Sequence, residues 1–303
     1  MYNQISANKR NTWILMLIFI ALFVGMGYGY GFYYTESNEG AIGIMGIFGI
    51  VAILYSLFSY YASSKITLSI SHAKEIQKRD HFQLFTIVEN LCIASGLPTP
   101  KIYIIDDTAM NAFATGRDPE HASVAITKGL LDKLDKTEIE GVMAHELSHI
   151  KNYDIRLQTI VVGLIGIIAL VSDIFLRSLF YGGGRRRKSD SGKGNGIMLL
   201  IGIGLAILTP IIAQIIKLAI SRQREFLADA SGAMMTRYPE GLANALEKIS
   251  QDKEPLEVAN KATAHLYISN PLKNEKGMKF INKMFSTHPD AKERIARLRG
   301  MSS

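Results

Sequence analysis

The chain has 303 residues, 48% of them hydrophobic, one cysteine and a formal net charge of +7. A mean hydropathy of +0.14 is high for a soluble domain and low for a pure bundle of spans, so apolar segments and a polar domain share the chain. The single cysteine excludes an internal disulfide, and the basic surplus lacks the aromatic-interleaved pattern of a nucleic-acid binder, so no nucleic-acid partner is expected.

No charge falls within residues 11–35 or 40–64. Each run is long enough to cross a ~30 Å hydrocarbon core as a helix. Glu36 and Glu39 lie in the connection; Lys9 and Arg10 precede the first run, and Lys65, Lys74, Lys78 and Arg79 follow the second. The positive-inside tendency makes residues 1–64 a transmembrane hairpin with both ends in the cytoplasm. The first run is too long for a cleaved signal peptide and has no clear small-x-small cleavage site beside a polar region. Gly25 and Gly29 are the positions where the two spans are expected to approach closely.

Residues 65–154 read as the first part of a polar domain. A helix is predicted over 74–96, then extended runs over 101–105, 111–115 and 123–127, with turn material at Asp106-Asp107 and Gly116-Arg117-Asp118-Pro119. The next helix has acids in its first turn and an apolar side of Ile139, Val142, Met143 and Leu147. It carries His145-Glu146-Leu147-Ser148-His149. Side chains four apart share a helix face, so both imidazoles can grip one ion while Glu146 stands beside them as a base. That is the donor pattern of a zinc hydrolase.

Residues 155–216 form a second hydrophobic pair around a basic, glycine-rich loop. The stretch between Arg156 and Asp173 reaches only ~24 Å as a helix, short of a hydrocarbon core. The later stretch, 194–216, is long enough, with Pro210 a kink. The loop between them holds Arg177, Arg185, Arg186, Arg187, Lys188 and Lys193, against the charge rule if both segments cross. Two arrangements remain: both cross, or both lie as a hairpin at the membrane face.

Residues 217–303 complete the polar domain. Glu225 and Asp229 are four apart on a second helix. Zinc in hydrolases takes three protein ligands and leaves a fourth position for water, so Glu225 is assigned to the metal. Asp229 is assigned to the spare N–H of a ligand histidine, with Arg222 beside it as a supporting residue. His72, His81, His121 and His265 have no ligand-like spacing and are read as surface or structural.

The segments Ala144-His145-Glu146-Leu147-Ser148-His149, Arg222-x-x-Glu225-Phe226-x-Ala228-Asp229, Asn111-Ala112-Phe113-Ala114-Thr115-Gly116, Thr287-His288-Pro289 and Arg294-Ile295-x-x-Leu298 together resemble the HtpX-like membrane metalloproteases, relatives of the CAAX prenyl proteases. The resemblance runs nearly end to end. It implies a mostly helical α+β integral membrane protein with a zincin-like (gluzincin) domain, one Zn2+ per subunit and substrates among misfolded or damaged membrane proteins. It implies a bacterial inner membrane location with the catalytic domain facing the cytoplasm, and it favours two crossings for 155–216. His288 becomes the candidate oxyanion donor. Asn111, Ala112, Phe113 and Ala114 become the substrate-docking edge strand. The rival from another class is a membrane scaffold that binds clients without cutting them; an intact Glu146 speaks against it.

Overall fold

In a computed structural model of the chain, the described residues are 2–181, 221–259, 263–269, 271 and 289–301. Two long helices open the chain, α1 (Tyr2–Thr35) and α2 (Asn38–Ile70), joined at Glu36-Ser37 with Glu36 in the left-handed region. Gln4–Thr35 and Asn38–Ile70 are long and apolar enough to cross a membrane. Their outward faces carry exposed Trp13, Leu17, Ile47, Ile50, Leu54 and Phe58.

The chain divides into two compact units. One comprises Met1–Thr12, Tyr61–Val162 and Ile216–Ser303, the other Trp13–Tyr60 and Gly163–Ile215. Within the second unit the spans do approach closely, but at Gly27 and Gly31 rather than at Gly25 and Gly29. A Cβ at Gly27 would come within 2.6 Å of Phe48 and one at Gly31 within 2.8 Å of Ala41, while Gly25 and Gly29 face open space. The two-residue turn fixes which face meets the partner, and a shift of two residues rotates a side chain to the opposite side of a helix.

In the first unit the chain leaves α2 through His72 in the left-handed region and forms a short strand, β1 (Lys74–Glu75). The helix expected over 74–96 therefore begins only at Phe82, as α3 (Phe82–Ser95). The His81 ring nitrogen accepts from Leu84 N at 3.2 Å and caps it, and Gly96 closes it at φ 68°. Residues 76–81 are largely polar and offer no apolar face to bury.

β2 (Lys101–Ile105), β3 (Ala112–Gly116) and β4 (Ala122–Thr127) join β1 in a four-stranded sheet of order β1-β2-β4-β3. β2 and β4 are parallel, with Tyr103 opposite Ala125; β3 and β4 are antiparallel, with Ala114 opposite Val124. Alternate residues serve two cores. Ile102, Ala112, Ala114, Val124 and Ile126 pack with Leu84, Val88, Val142, Met143 and Leu147. Ile105, Phe113 and Ala125 pack with Leu256, Leu266 and Tyr267 on the other face. β3 is thus an edge strand that is nevertheless buried along its whole length.

Helices α4 (Lys128–Lys133), α5 (Lys136–Lys151) and α6 (Asp154–Tyr181) follow, then α7 (Arg222–Thr236), α8 (Pro239–Gln251) and α9 (Ala291–Arg299). α6 continues through Asp173 and Arg177, and its 28 residues span ~42 Å, longer than its charge-free stretch. The rest of the expected second hydrophobic pair lies outside the described residues. α5 is central. At Gly141 a Cβ would meet Leu242 N at 2.6 Å, so glycine is what lets α8 lie against α5.

Candidate metal centre

α5 has a fixed start. The Asp135 carboxylate accepts from Thr137 N and Glu138 N, and the Glu138 side chain accepts from Asp135 N, satisfying orphan donors reciprocally. Glu138 is also paired with Lys248 of α8 at 2.7 Å. From that start His145, Glu146 and His149 all fall on buried turns of the helix.

The Nε2 atoms of His145 and His149 lie 3.1 Å apart. Glu225 of α7 brings carboxylate oxygens to 3.9 Å from His145 Nε2 and 3.5 Å from His149 Nε2. Donor atoms of these three residues all lie within 4.8 Å of one another. Bonds of ~2.0–2.1 Å to one tetrahedral ion would set such atoms ~3.3 Å apart. The separations fit a shared ion, and so does the chemistry: two imidazole nitrogens and a carboxylate converge on one point.

Each imidazole is oriented from behind. His145 Nδ1 donates to Asp229 Oδ1 at 2.9 Å, and His149 Nδ1 donates to Asp154 Oδ2 at 3.0 Å. With Nδ1 so engaged, Nε2 is the atom that each ring turns toward the cluster. Asp229 is itself held in a bidentate grip by the buried Arg294 of α9, at 2.8 and 2.7 Å. Arg294 also donates to Ile268 O at 3.3 Å and sits 3.6 Å from Glu225.

These partners set the proton states. Burial pulls His145 down to about 4, with Arg294 and His149 adding to it against the pull of Asp229. Burial acts the same way on His149, but Asp154 and then Glu225 outweigh it and raise that ring to about 9. Burial would raise Asp229; Arg294 and His145 instead hold it at about 2. Glu146, deeply buried, is pushed up to about 7 chiefly by desolvation, against smaller opposing pulls from His149, Arg294 and the Ala114 backbone.

The structure brings His145, Glu146, His149, Glu225 and Asp229 together. It does not bring Arg222, which is exposed on the first turn of α7. The buried guanidinium on that turn is Arg224, two residues on and facing the opposite way, which donates to Asn8 at 2.8 Å and lies 3.9 Å from Asp154. His288 lies outside the described residues. Asn111, Ala112, Phe113 and Ala114 are buried at the edge of the sheet. Ala112 O already accepts from Ile268 N at 3.0 Å, and the Asn111 side chain donates to Ser269 O at 3.1 Å. His265 is buried against Gln158 O. Three residues around the cluster have no role in the sequence reading: Asp154, Arg294 and Asn8. Asp154 follows His149 by five residues, and Arg294 lies inside one of the family-like segments, so both carry a readable signal. Asn8 carries none.

A family model described as peptidase family M48 matches residues 78–302, most of the chain. The chain belongs to peptidase family M48. Two protease HtpX homologs show how closely this M48 peptidase follows relatives along its whole length. That of Dictyoglomus turgidum is 46% identical over 99% of this chain and 94% of its own. That of Tropheryma whipplei is 44% identical over 100% of this chain and 99% of its own. Among solved structures, S. mikatae Ste24p is similar at a TM-score of 0.48 and 21% identity, over 95% of this chain and 66% of that one. This M48 peptidase is a membrane-bound metalloprotease, and its family implies a metal cofactor. Among the described residues, His145, His149 and Glu225 form the one cluster able to hold it.

Proposed function

We propose that the chain is a zinc-dependent endopeptidase in which His145, His149 and Glu225 hold the ion and Glu146 is the general base. A bound Zn2+ would supply Lewis-acid polarisation of the scissile carbonyl and lower the pKa of water in the site. Glu146 takes the proton from the attacking water and delivers it to the leaving nitrogen. The observation that carries this reading is the position of Glu146: buried on the same helix as His145 and His149, beside the donor cluster, with its carboxyl raised to about 7 by desolvation. A base whose pKa lies near the working pH both exists in the right form and transfers its proton readily.

The edge strand supports a substrate mode. An extended peptide adds to an edge through backbone hydrogen bonds, which ignore most side chains. Pairing would fall beyond Ala112, whose carbonyl is taken by Ile268. Such docking suits unfolded segments, and with the two apolar helices it favours misfolded or damaged membrane proteins as clients, in bacterial protein quality control. The flanking charges of residues 1–64 favour the cytoplasmic side for the catalytic residues. By resemblance, His288 would steady the developing oxyanion.

The test is cleavage of an unfolded protein by the detergent-purified, zinc-loaded chain and its variants. Glu146→Gln should keep zinc and lose turnover by about 10²-fold or more. Glu225→Ala should lose zinc. Equal zinc loss in both would undo the division of roles. Full turnover without Glu146 would remove it as the base. Zinc retained with no cutting by the wild type would favour a client-binding scaffold.

A further inference from the structure

Asp154 orients His149, and what orients Asp154 comes from the far end of the sequence. Asn8, on the second turn of α1, is 1% exposed and makes three bonds. Its Nδ2 donates to Asp154 Oδ1 at 2.6 Å and to Asn152 O at 2.9 Å. Its Oδ1 accepts from Arg224 at 2.8 Å. The partners fix the orientation of the carboxamide: Arg224 can only donate, while a carboxylate and a carbonyl can only accept.

The bonds meet at a strained place. Between the end of α5 and the start of α6, Tyr153 sits at φ 60°, a left-handed conformation costly for an aromatic residue. That turn sets where Asp154 stands relative to His149. Asn8 holds it from both sides, at Asn152 O and at the Asp154 carboxylate. The next residue, Lys9, places its ammonium 4.1 Å from the centre of the Tyr153 ring, and Arg156 lies 4.9 Å from the same ring.

We propose that Asn8 is a positioning residue of the metal centre, acting through Asp154 on His149, so that the first turns of α1 complete the site as well as leading into the first apolar helix. The proposal rests on the assignment of His145, His149 and Glu225 as ligands. Asn8→Asp is the discriminating variant. It keeps the shape and the acceptor facing Arg224, but removes both N–H groups and sets a carboxylate against Asp154. A packing role alone would not be rescued by returning a donor to the pair at position 154.

The experiment is Co2+ titration of the detergent-solubilised full chain, read by visible absorption, which reports the ligand geometry independently of turnover. Asn8→Asp should weaken Co2+ binding by about 10-fold, the lower part of the range for outer partners of metal ligands, and alter the absorption bands. The exchanged pair, Asn8→Asp with Asp154→Asn, again sets a donor against an acceptor, and the carboxamide it places beside His149 still accepts from that ring. It should fold, and it should bind Co2+ more tightly than Asp154→Asn alone, in which two carboxamides face each other. Wild-type affinity and spectrum in Asn8→Asp would overturn the proposal. So would an exchanged pair that binds no better than Asp154→Asn, or that fails to fold when Asn8→Asp also fails. A wild-type spectrum in His149→Ala would instead sink the ligand assignment beneath it.

Discussion

His145 and His149 sit one helical turn apart, face the same point and each lean on a carboxylate, yet their surroundings push them in opposite directions. Behind His145, Asp229 is gripped at two points by a buried arginine whose charge offsets much of its own. The imidazole therefore gains little from protonation, burial dominates, and the ring falls to about 4. Behind His149, Asp154 is held by the neutral amide of Asn8 and has Arg224 only at 3.9 Å. Its charge is left to act on the ring, which rises to about 9. The two rings are thus pulled in opposite directions, His145 down by burial and Arg294, His149 up by Asp154 and Glu225.

The largest expected effect tests the arginine behind Asp229. Arg294→Met leaves that carboxylate buried without its cation and should cost about 3–5 kcal/mol of stability in denaturant unfolding. Arg224→Met removes a guanidinium that meets Asp154 mainly through Asn8, and should cost about 1–2 kcal/mol. Equal losses would mean that the two arms are supported alike, and the comparison would fail.

Much of this asymmetry is not legible in the sequence, and the reasons are physical. A helical period is local, so His145, Glu146 and His149 announce their shared face, and so do Glu225 and Asp229. Three short extended runs agree with the strands to within one residue at each end, because β-rich segments bounded by turn residues are also local signals. The differences arise where distant partners decide. Lys74–Glu75 is a strand because it pairs with β2, which no property of its own segment reveals. Arg222 and Arg224 are indistinguishable as residue types; the phase of α7 buries one and exposes the other. Gly25 and Gly29 give way to Gly27 and Gly31 for the same reason of phase. The bond between Asn8 and Asp154 spans 146 positions and follows from no local pattern.

Glu146 stands between the two arms and supplies the next effect. Its carboxyl is raised from an ordinary value near 4.5 to about 7, so the folded, metal-free chain binds a proton that the unfolded chain has released. Stability from this group is full below about 4.5 and is lost as pH rises through about 7. Glu146→Gln removes that loss. Above pH ~8 the metal-free variant should be more stable than the metal-free wild type by roughly 3 kcal/mol, and near pH 4 the two should converge. A gap that does not change with pH would mean that Glu146 is not desolvated as placed.

The two proton states can also be counted. At pH 8 the metal-free chain should carry a proton on His149 and none on His145, so uptake of one divalent ion should release about one proton. Calorimetry in buffers of different ionisation enthalpy measures this directly. Asp154→Asn lowers the His149 ring toward neutrality, so the release should fall toward zero while metal affinity drops by about 10–100-fold. Asp229→Asn should also weaken binding but leave the proton count near one. The same count in both variants would erase the distinction between the arms.

The smallest effect separates geometry from stability at α7, which serves both arms. Gly232 of α7 backs onto α5, where an added Cβ would lie 3.1 Å from His145 N and 3.3 Å from Ala144 C. These contacts are tight without being prohibitive, so α7 must shift by a few tenths of an ångström, and it carries Glu225 and Asp229 with it. Alanine also favours the helix over glycine by about 0.5–1 kcal/mol, which offsets the strain. Gly232→Ala should therefore melt within about 1 kcal/mol of the wild type while its Co2+ affinity falls by about 3-fold, since small displacements of ligands outweigh small changes in the scaffold. The proton released on metal uptake should stay near one, because the Asp154 bond that holds the proton on His149 comes from the α5–α6 turn and not from α7. A changed proton count with unchanged affinity would show that the arms move together through α5 rather than separately through α7 and the α5–α6 turn.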